Sequence, residues 1–70
     1  MIGINEIERL GFTHLGSRWF KNADDTIRIR QWRDFQIDIW EWKDIEDERM
    51  ILFRGKLTEP SEIQWVLDRI

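Results

Sequence analysis

The stretch 26–42, Thr-Ile-Arg-Ile-Arg-Gln-Trp-Arg-Asp-Phe-Gln-Ile-Asp-Ile-Trp-Glu-Trp, constrains the fold more than any other part of the chain. Ile27 and Ile29 alternate with Arg28 and Arg30, and Phe35, Ile37 and Ile39 alternate with Gln36, Asp38 and Trp40. A period of two in β-branched and aromatic residues is the mark of a half-buried strand. The stretch reads as two strands, 26–32 and 35–42, and the turn between them.

The register follows from the two faces. A two-residue turn at Arg33-Asp34 sets Arg30 against Ile37 and Arg28 against Ile39, which mixes charge into the apolar face. A slip of one residue exchanges the faces. A clean apolar face then needs Ile29 opposite Ile37, with a loop of Trp32, Arg33 and Asp34, or Ile29 opposite Ile39. Either choice places Asp38 against an arginine, Arg28 or Arg30.

A further strand is expected over 49–57. Ile39 opposite Phe53 pairs Ile37 with Gly55 and Phe35 with Leu57 on the core side. The same register pairs Asp38 with Arg54, Trp40 with Leu52 and Trp42 with Met50 on the other side. An acidic strand between two basic neighbours is favourable cross-strand chemistry.

Upstream, residues 5–10 read as a short helix, with Asn5 as cap, Glu8 as its box partner and Ile4, Ile7 and Leu10 on one face. Gly11 occupies the left-handed position that ends a helix, so Phe12 folds back onto Ile7. Residues 13–21 read as one strand interrupted by Gly16. In it Trp19 and Phe20 are adjacent, and one of them must point away from the core. Asn22 to Asp25 is turn chemistry. At the other end, Thr58 reads as an N-cap, with Pro60 and Glu62 in the first turn. Ile63, Val66, Leu67 and Ile70 recur on one helical face.

The expected fold is α+β: a two-layer sandwich in which a four-stranded antiparallel meander carries the N- and C-terminal helices on one face, in the order αββββα. Gly55 is expected to let a helix approach closely. Seventy residues make a single domain, 1–70. With no cysteine there is no disulfide framework, so the core must hold the fold; an apolar content of 41% with five tryptophans makes such a core feasible.

Composition also limits function. The net charge of −3 argues against general affinity for nucleic-acid phosphate. Asp38 in mid-face and the lack of an RNP-like motif argue the same way against a single-stranded nucleic-acid platform. The first residues lack a basic region followed by an apolar run, so no secretory signal is expected. No apolar run is long enough to span a membrane, and a cytoplasmic protein is the expectation.

No catalytic residues, metal or cofactor are expected. His14, the one histidine, has no nucleophile or paired acid indicated nearby and reads as structural. Asp44, Glu46, Asp47 and Glu48 lack the glycine and alternation of a calcium loop and read as a solvated hairpin loop. Glu6 and Glu8 read as helix-terminus electrostatics.

The open sheet face stands out. It is expected to carry Arg28, Arg30, Asp38, Trp40, Trp42, Met50, Leu52, Arg54 and Lys56, with Trp32 near its end. Tryptophan and arginine are the residues most enriched at interaction hot spots. They also stack on each other within one molecule, so a stiffening ladder is the competing account of the same residues.

The pattern Gly11-Phe12, Trp19-Phe20-Lys21, Ile27-Arg28-Ile29, Phe53-Arg54-Gly55-Lys56-Leu57 and Thr58 with Glu62-Ile63 resembles small orphan proteins from phages and prophages of gut bacteria. The resemblance is one of layout over most of the chain and carries over no functional residues. It implies a compact, non-enzymatic protein that binds a host factor; anti-CRISPR inhibitors are one such class, often small and acidic.

The leading expectation is a protein-binding module that uses Arg28, Arg30, Trp40, Trp42, Met50, Leu52 and Arg54 to hold a protein partner or a second copy as a homodimer. The alternatives are an acidic nucleic-acid mimic built on Asp34, Asp44, Glu46, Asp47 and Glu48, and a structural subunit that self-associates through the sheet.

Overall fold

A computed structural model describes residues 2–70. The fold is α+β, with one antiparallel sheet and two helices. The elements are α1 (Ile4–Glu8), β1 (Thr13–Gly16), β2 (Trp19–Lys21), β3 (Ile27–Gln31), β4 (Gln36–Glu41), a 3-10 turn (Glu46–Glu48), β5 (Met50–Lys56) and α2 (Pro60–Leu67). The strands lie in sequence order, so the sheet is a simple meander.

It has five strands, not the expected four. The expected first strand is a hairpin of its own. Gly16 and Ser17 adopt φ of 96° and 51°, which reverses the chain between β1 and β2. Glycine reaches this region without steric cost, and Ser17 follows it.

One core joins both helices to one sheet face. It contains Phe20, Ile29, Ile37, Ile39 and Leu57 from the sheet side, Ile7 from α1, Ile63 and Val66 from α2, and Ile2 and Phe12 beside α1. The open choice between Trp19 and Phe20 is settled here. Phe20 is fully buried, and Trp19 is half-buried on the opposite face.

Several boundary expectations are corrected. Helix α1 starts one residue early, with Gly3 at its N-cap, and Glu6 rather than Glu8 accepts the Gly3 N–H at 3.1 Å. That phase leaves Ile4 exposed, and Ile2 is buried instead. Gly11, at φ 98°, ends this segment as its sequence suggests. At the other terminus Ile70 is exposed, because α2 ends at Leu67 and the helical phase is lost.

The β3–β4 pairing takes the second permitted register, Ile29 opposite Ile39 and Arg30 opposite Asp38. The turn falls one residue later than expected. Gln36 N–H donates to Arg33 O at 3.2 Å, with Asp34 and Phe35 at φ 58° and 65°. Phe35 therefore leaves the core face and is exposed. Its backbone carbonyl still accepts from Leu57 N–H at 3.0 Å, so the expected Phe35–Leu57 pairing survives only in the main chain.

Between β4 and β5 the pairs Ile39–Phe53, Asp38–Arg54 and Ile37–Gly55 form as expected. Beyond them a bulge shifts the register, so Trp40 lies opposite Ile51 and Glu41 opposite Met50. The expected pairs Trp40–Leu52 and Trp42–Met50 do not form. One extra residue, Leu52, is accommodated in β5, and the inserted residue changes which side chains share a face. At Gly55 the nearest atoms are those of the Phe53 ring. An added Cβ there would lie 3.0 Å from the Phe53 ring, which covers the glycine from two residues upstream.

Helix α2 opens at Glu59 rather than at Thr58. The carboxylate of Glu62 accepts three donors: Glu59 N–H at 2.9 Å, Thr58 Oγ1–H at 3.0 Å and Thr58 N–H at 3.1 Å. The Thr58 N–H, the Thr58 hydroxyl and the Glu59 N–H together hold the Glu62 carboxyl below its ordinary value of 4.5. Its contribution is thus present above that pH and lost as pH falls through the lowered value. Thr58→Ala removes one of three donors and should cost less than about 1 kcal/mol. Glu62→Ala orphans all three and should lower the urea midpoint further. Equal midpoints for the two variants would return the cap to Thr58.

Candidate functional site

The sheet face opposite the helices is built from the outward members of the alternating strands. Two cross-strand rows organise it. One runs Trp19, Arg30, Asp38, Arg54; the other runs Lys21, Arg28, Trp40, Ile51. Trp42 continues the face past the end of β4, where its N–H donates to Thr26 O at 2.8 Å.

At the centre three indoles meet. Trp19 lies 5.4 Å from Trp42 and 6.3 Å from Trp40, and Trp40 lies 6.3 Å from Trp42, with tilted to edge-on geometry. Such arrangements satisfy the ring quadrupoles. Arginines stack on these rings. Arg28 and Arg49 sit 4.1 and 3.9 Å from the Trp42 centroid. Arg30 sits 5.2 Å from Trp19 and 3.8 Å from Trp32.

Two of these arginines are also held by oxygen. Asp25 accepts two bonds from Arg28, both 2.8 Å. The Arg28 hydrogen bonds hold the Asp25 carboxyl below its ordinary range, against the effect of burial. The loop that presents Asp25 is closed by its own side chains: Asn22 Oδ1 accepts the N–H groups of Thr26 and Ile27 at 2.9 and 3.0 Å. Arg49 Nε donates to Lys43 O at 3.0 Å.

Asp38 is the buried charge of the face, with no exposed surface. Its carboxylate accepts two bonds from Arg54, at 2.9 and 3.0 Å, and one from Trp32 Nε1 at 2.6 Å. Gln36 adds a longer contact of 3.4 Å. Burial pushes the carboxyl up, but the bonds from Arg54, Trp32 and Gln36 and the Arg54 charge outweigh it, and Asp38 is held below its ordinary value. The sequence places Asp38 opposite an arginine on each side, and it pairs with Arg54, not Arg30.

Of the expected face residues, Arg28, Arg30, Trp40 and Trp42 come together. Arg54 is engaged with Asp38. Met50 does not join them. After the bulge it lies opposite Glu41 and is exposed, while Ile51 takes the place beside Trp40. Leu52 is half-buried at the bulge. Trp19 and Arg49 belong to the cluster and were not expected there. The adjacent Trp19-Phe20 pair held the signal for the first, since Phe20 inward forces Trp19 outward.

Two side-chain donors within this face are buried without a partner, Arg30 Nε and Trp40 Nε1. A buried unpaired donor costs about 1–3 kcal/mol. Elsewhere, the His14 ring lies tilted against Phe20, with centroids 4.8 Å apart, and its Nε2 lies 3.2 Å from Ser17 O in the β1–β2 hairpin. Among the described residues no group of three or more histidine, cysteine or acidic side chains is placed to hold a metal ion. No helix among them is long and apolar enough to cross a membrane.

No protein-family model, curated protein or solved structure matches this chain.

Proposed function

We propose that this is a small non-enzymatic binding module, cytoplasmic and of phage type, whose outer sheet face docks a protein partner. The observation that supports the reading most is the continuous cluster of Trp19, Trp40 and Trp42 flanked by Arg28, Arg30 and Arg49, on a face that neither helix covers. Stacking and the Asp25 fork hold these long side chains in place before any partner arrives. Fewer rotamers are then lost on association, which is the usual cost of an arginine-rich interface. An open notch of about 340 Å³ at the centre, bounded by Trp40, Trp42, Glu46 and Arg49 among others, offers a seat for one partner side chain.

Capture of partners by tagged protein from a phage-infected bacterial host tests this. Arg49→Glu reverses a charge whose side chain makes a single hydrogen bond, to Lys43 O. It should reduce capture about tenfold, equivalent to one strong interfacial contact. Trp65→Ser, on the exposed side of α2, should leave capture unchanged. The opposite ranking would move the interface to the α2 side. Light scattering distinguishes a second copy as the partner: the wild-type mass would double at high concentration and the Arg49→Glu mass would not.

A further inference from the structure

We infer that Arg18, Arg30 and Arg33 form a binding site for a phosphate dianion at the end of the outer face. The three line one open notch of about 480 Å³ together with Trp32 and Gln36. The elements bring them there from separate places: Arg18 from the β1–β2 turn, Arg30 from β3 and Arg33 from the β3–β4 turn. The junction is fixed by the main chain, since Gln31 N–H donates to Arg18 O at 2.9 Å and Trp32 N–H donates to Gln36 O at 2.8 Å.

The notch gathers three arginines in a chain that is acidic overall. The chain as a whole carries a net charge of −3. Arg28 and Arg54 have carboxylate partners. Arg18, Arg30 and Arg33 form no salt bridge with any described residue, and their side chains make no hydrogen bond to one. The nearest buried carboxylate, Asp38, is already occupied by Arg54 and Trp32. Three cations gathered without a counter-charge repel one another, and an anion among them removes that repulsion.

The geometry of Arg30 supports an oxyanion. Trp32 and Trp19 lie 3.8 and 5.2 Å from its guanidinium carbon. Stacking uses the faces of the guanidinium plane, whereas oxyanions are bound along its edge. The two rings position the group, and its Nε is buried without an internal acceptor. One carboxylate satisfies one such fork. Three forks call for more acceptor oxygens and more charge, which a phosphate dianion supplies with three strong acceptors. The same chemistry arises from free phosphate and from the terminal group of a phosphate monoester. Arg30 is shared with the protein-docking face, whereas Arg18 and Arg33 are not among the residues of the tryptophan cluster, so variants at these two test the anion site separately from that reading.

The experiment is a titration followed by nitrogen–proton NMR of the indole and arginine side chains, at constant ionic strength. The probes are inorganic phosphate, adenosine 5′-monophosphate, acetate and dithymidylate, a phosphodiester. Inorganic phosphate should shift the Trp32 indole and Arg30 Nε signals saturably, with half-saturation at roughly millimolar concentration. Arg18→Gln and Arg33→Gln should each weaken this about tenfold. Both side chains are exposed and unbonded, so both variants should keep the wild-type denaturation midpoint. Arg69→Gln, on the far side at α2, should bind as wild type. Tighter binding of the mononucleotide than of phosphate identifies a monoester as the source; equal binding identifies free phosphate. Absence of a saturable shift below roughly 20 mM phosphate overturns the site. So does equal binding of acetate or of the diester, or unchanged affinity in the Arg18→Gln/Arg33→Gln double variant.

Discussion

Ile39→Ala is expected to lower the unfolding free energy by about 2–5 kcal/mol, the range for a large-to-small change in a packed core. Ile39 has no exposed surface. It lies between Ile29 and Phe53 on the neighbouring strands, so the loss is felt on both sides of the central strand. Phe35→Ala is the informative comparison. Strand periodicity alone puts Phe35 on the same face as Ile39, and a core phenylalanine would cost about 3–5 kcal/mol. The structure exposes Phe35 at φ 65°, a region that a bulky side chain enters only at a cost. Its truncation should therefore cost under about 1 kcal/mol. Urea denaturation of the two variants checks both values. Equal losses would mean that the turn lies before Phe35 and that the sheet keeps this residue in the core.

The second large effect concerns the Asp38–Arg54 pair, and its sign depends on which partner is removed. Asp38 is fully buried, whereas the Arg54 side chain is 53% exposed. Asp38→Ala frees Arg54 to water and leaves the Trp32 indole N–H unpaired, a loss of about 1–3 kcal/mol. Arg54→Ala leaves a buried carboxylate without its counter-charge, and a buried uncompensated charge is the worse outcome. Arg54→Ala should therefore be the more destabilising at neutral pH, and Asp38→Ala/Arg54→Ala should be no worse than Arg54→Ala alone. The pH dependence follows from the same geometry. In the wild type Asp38 is held below its ordinary value of 3.8, so its contribution is present above that pH and lost as pH falls through the lowered value. Without Arg54, burial is less opposed and the carboxyl moves up, which favours the neutral form. The stability gap between wild type and Arg54→Ala should narrow as pH falls from about 7 towards 3. Denaturation midpoints across that range decide it, and a gap that widens on acidification would exclude the pair as drawn.

These two sites also show where the sequence is informative. The inward set Ile29, Ile37 and Ile39 and the cross-strand partners Ile39–Phe53 and Asp38–Arg54 follow from alternation and charge, because strand periodicity assigns faces without any knowledge of distant contacts. The α2 face of Ile63 and Val66 follows from helical spacing for the same reason. The α+β class and the antiparallel meander are legible in the order of these local patterns. Tertiary structure decided what local patterns leave degenerate. Whether residues 13–21 form one strand or a hairpin turned on a single backbone reversal at Gly16-Ser17, and which of Trp19 and Phe20 faces inward was settled by the core that receives Phe20. The bulge at Leu52 is invisible to periodicity, because an inserted residue shifts phase without changing composition; it put Ile51 in the place of Leu52 opposite Trp40 and moved Met50 opposite Glu41. The outer face was therefore only partly legible. Arg28, Arg30, Trp40 and Trp42 announce themselves by alternation, whereas Trp19, Arg49 and the notch of Arg18, Arg30 and Arg33 are assembled from separate turns and strands, and only the folded chain brings them together.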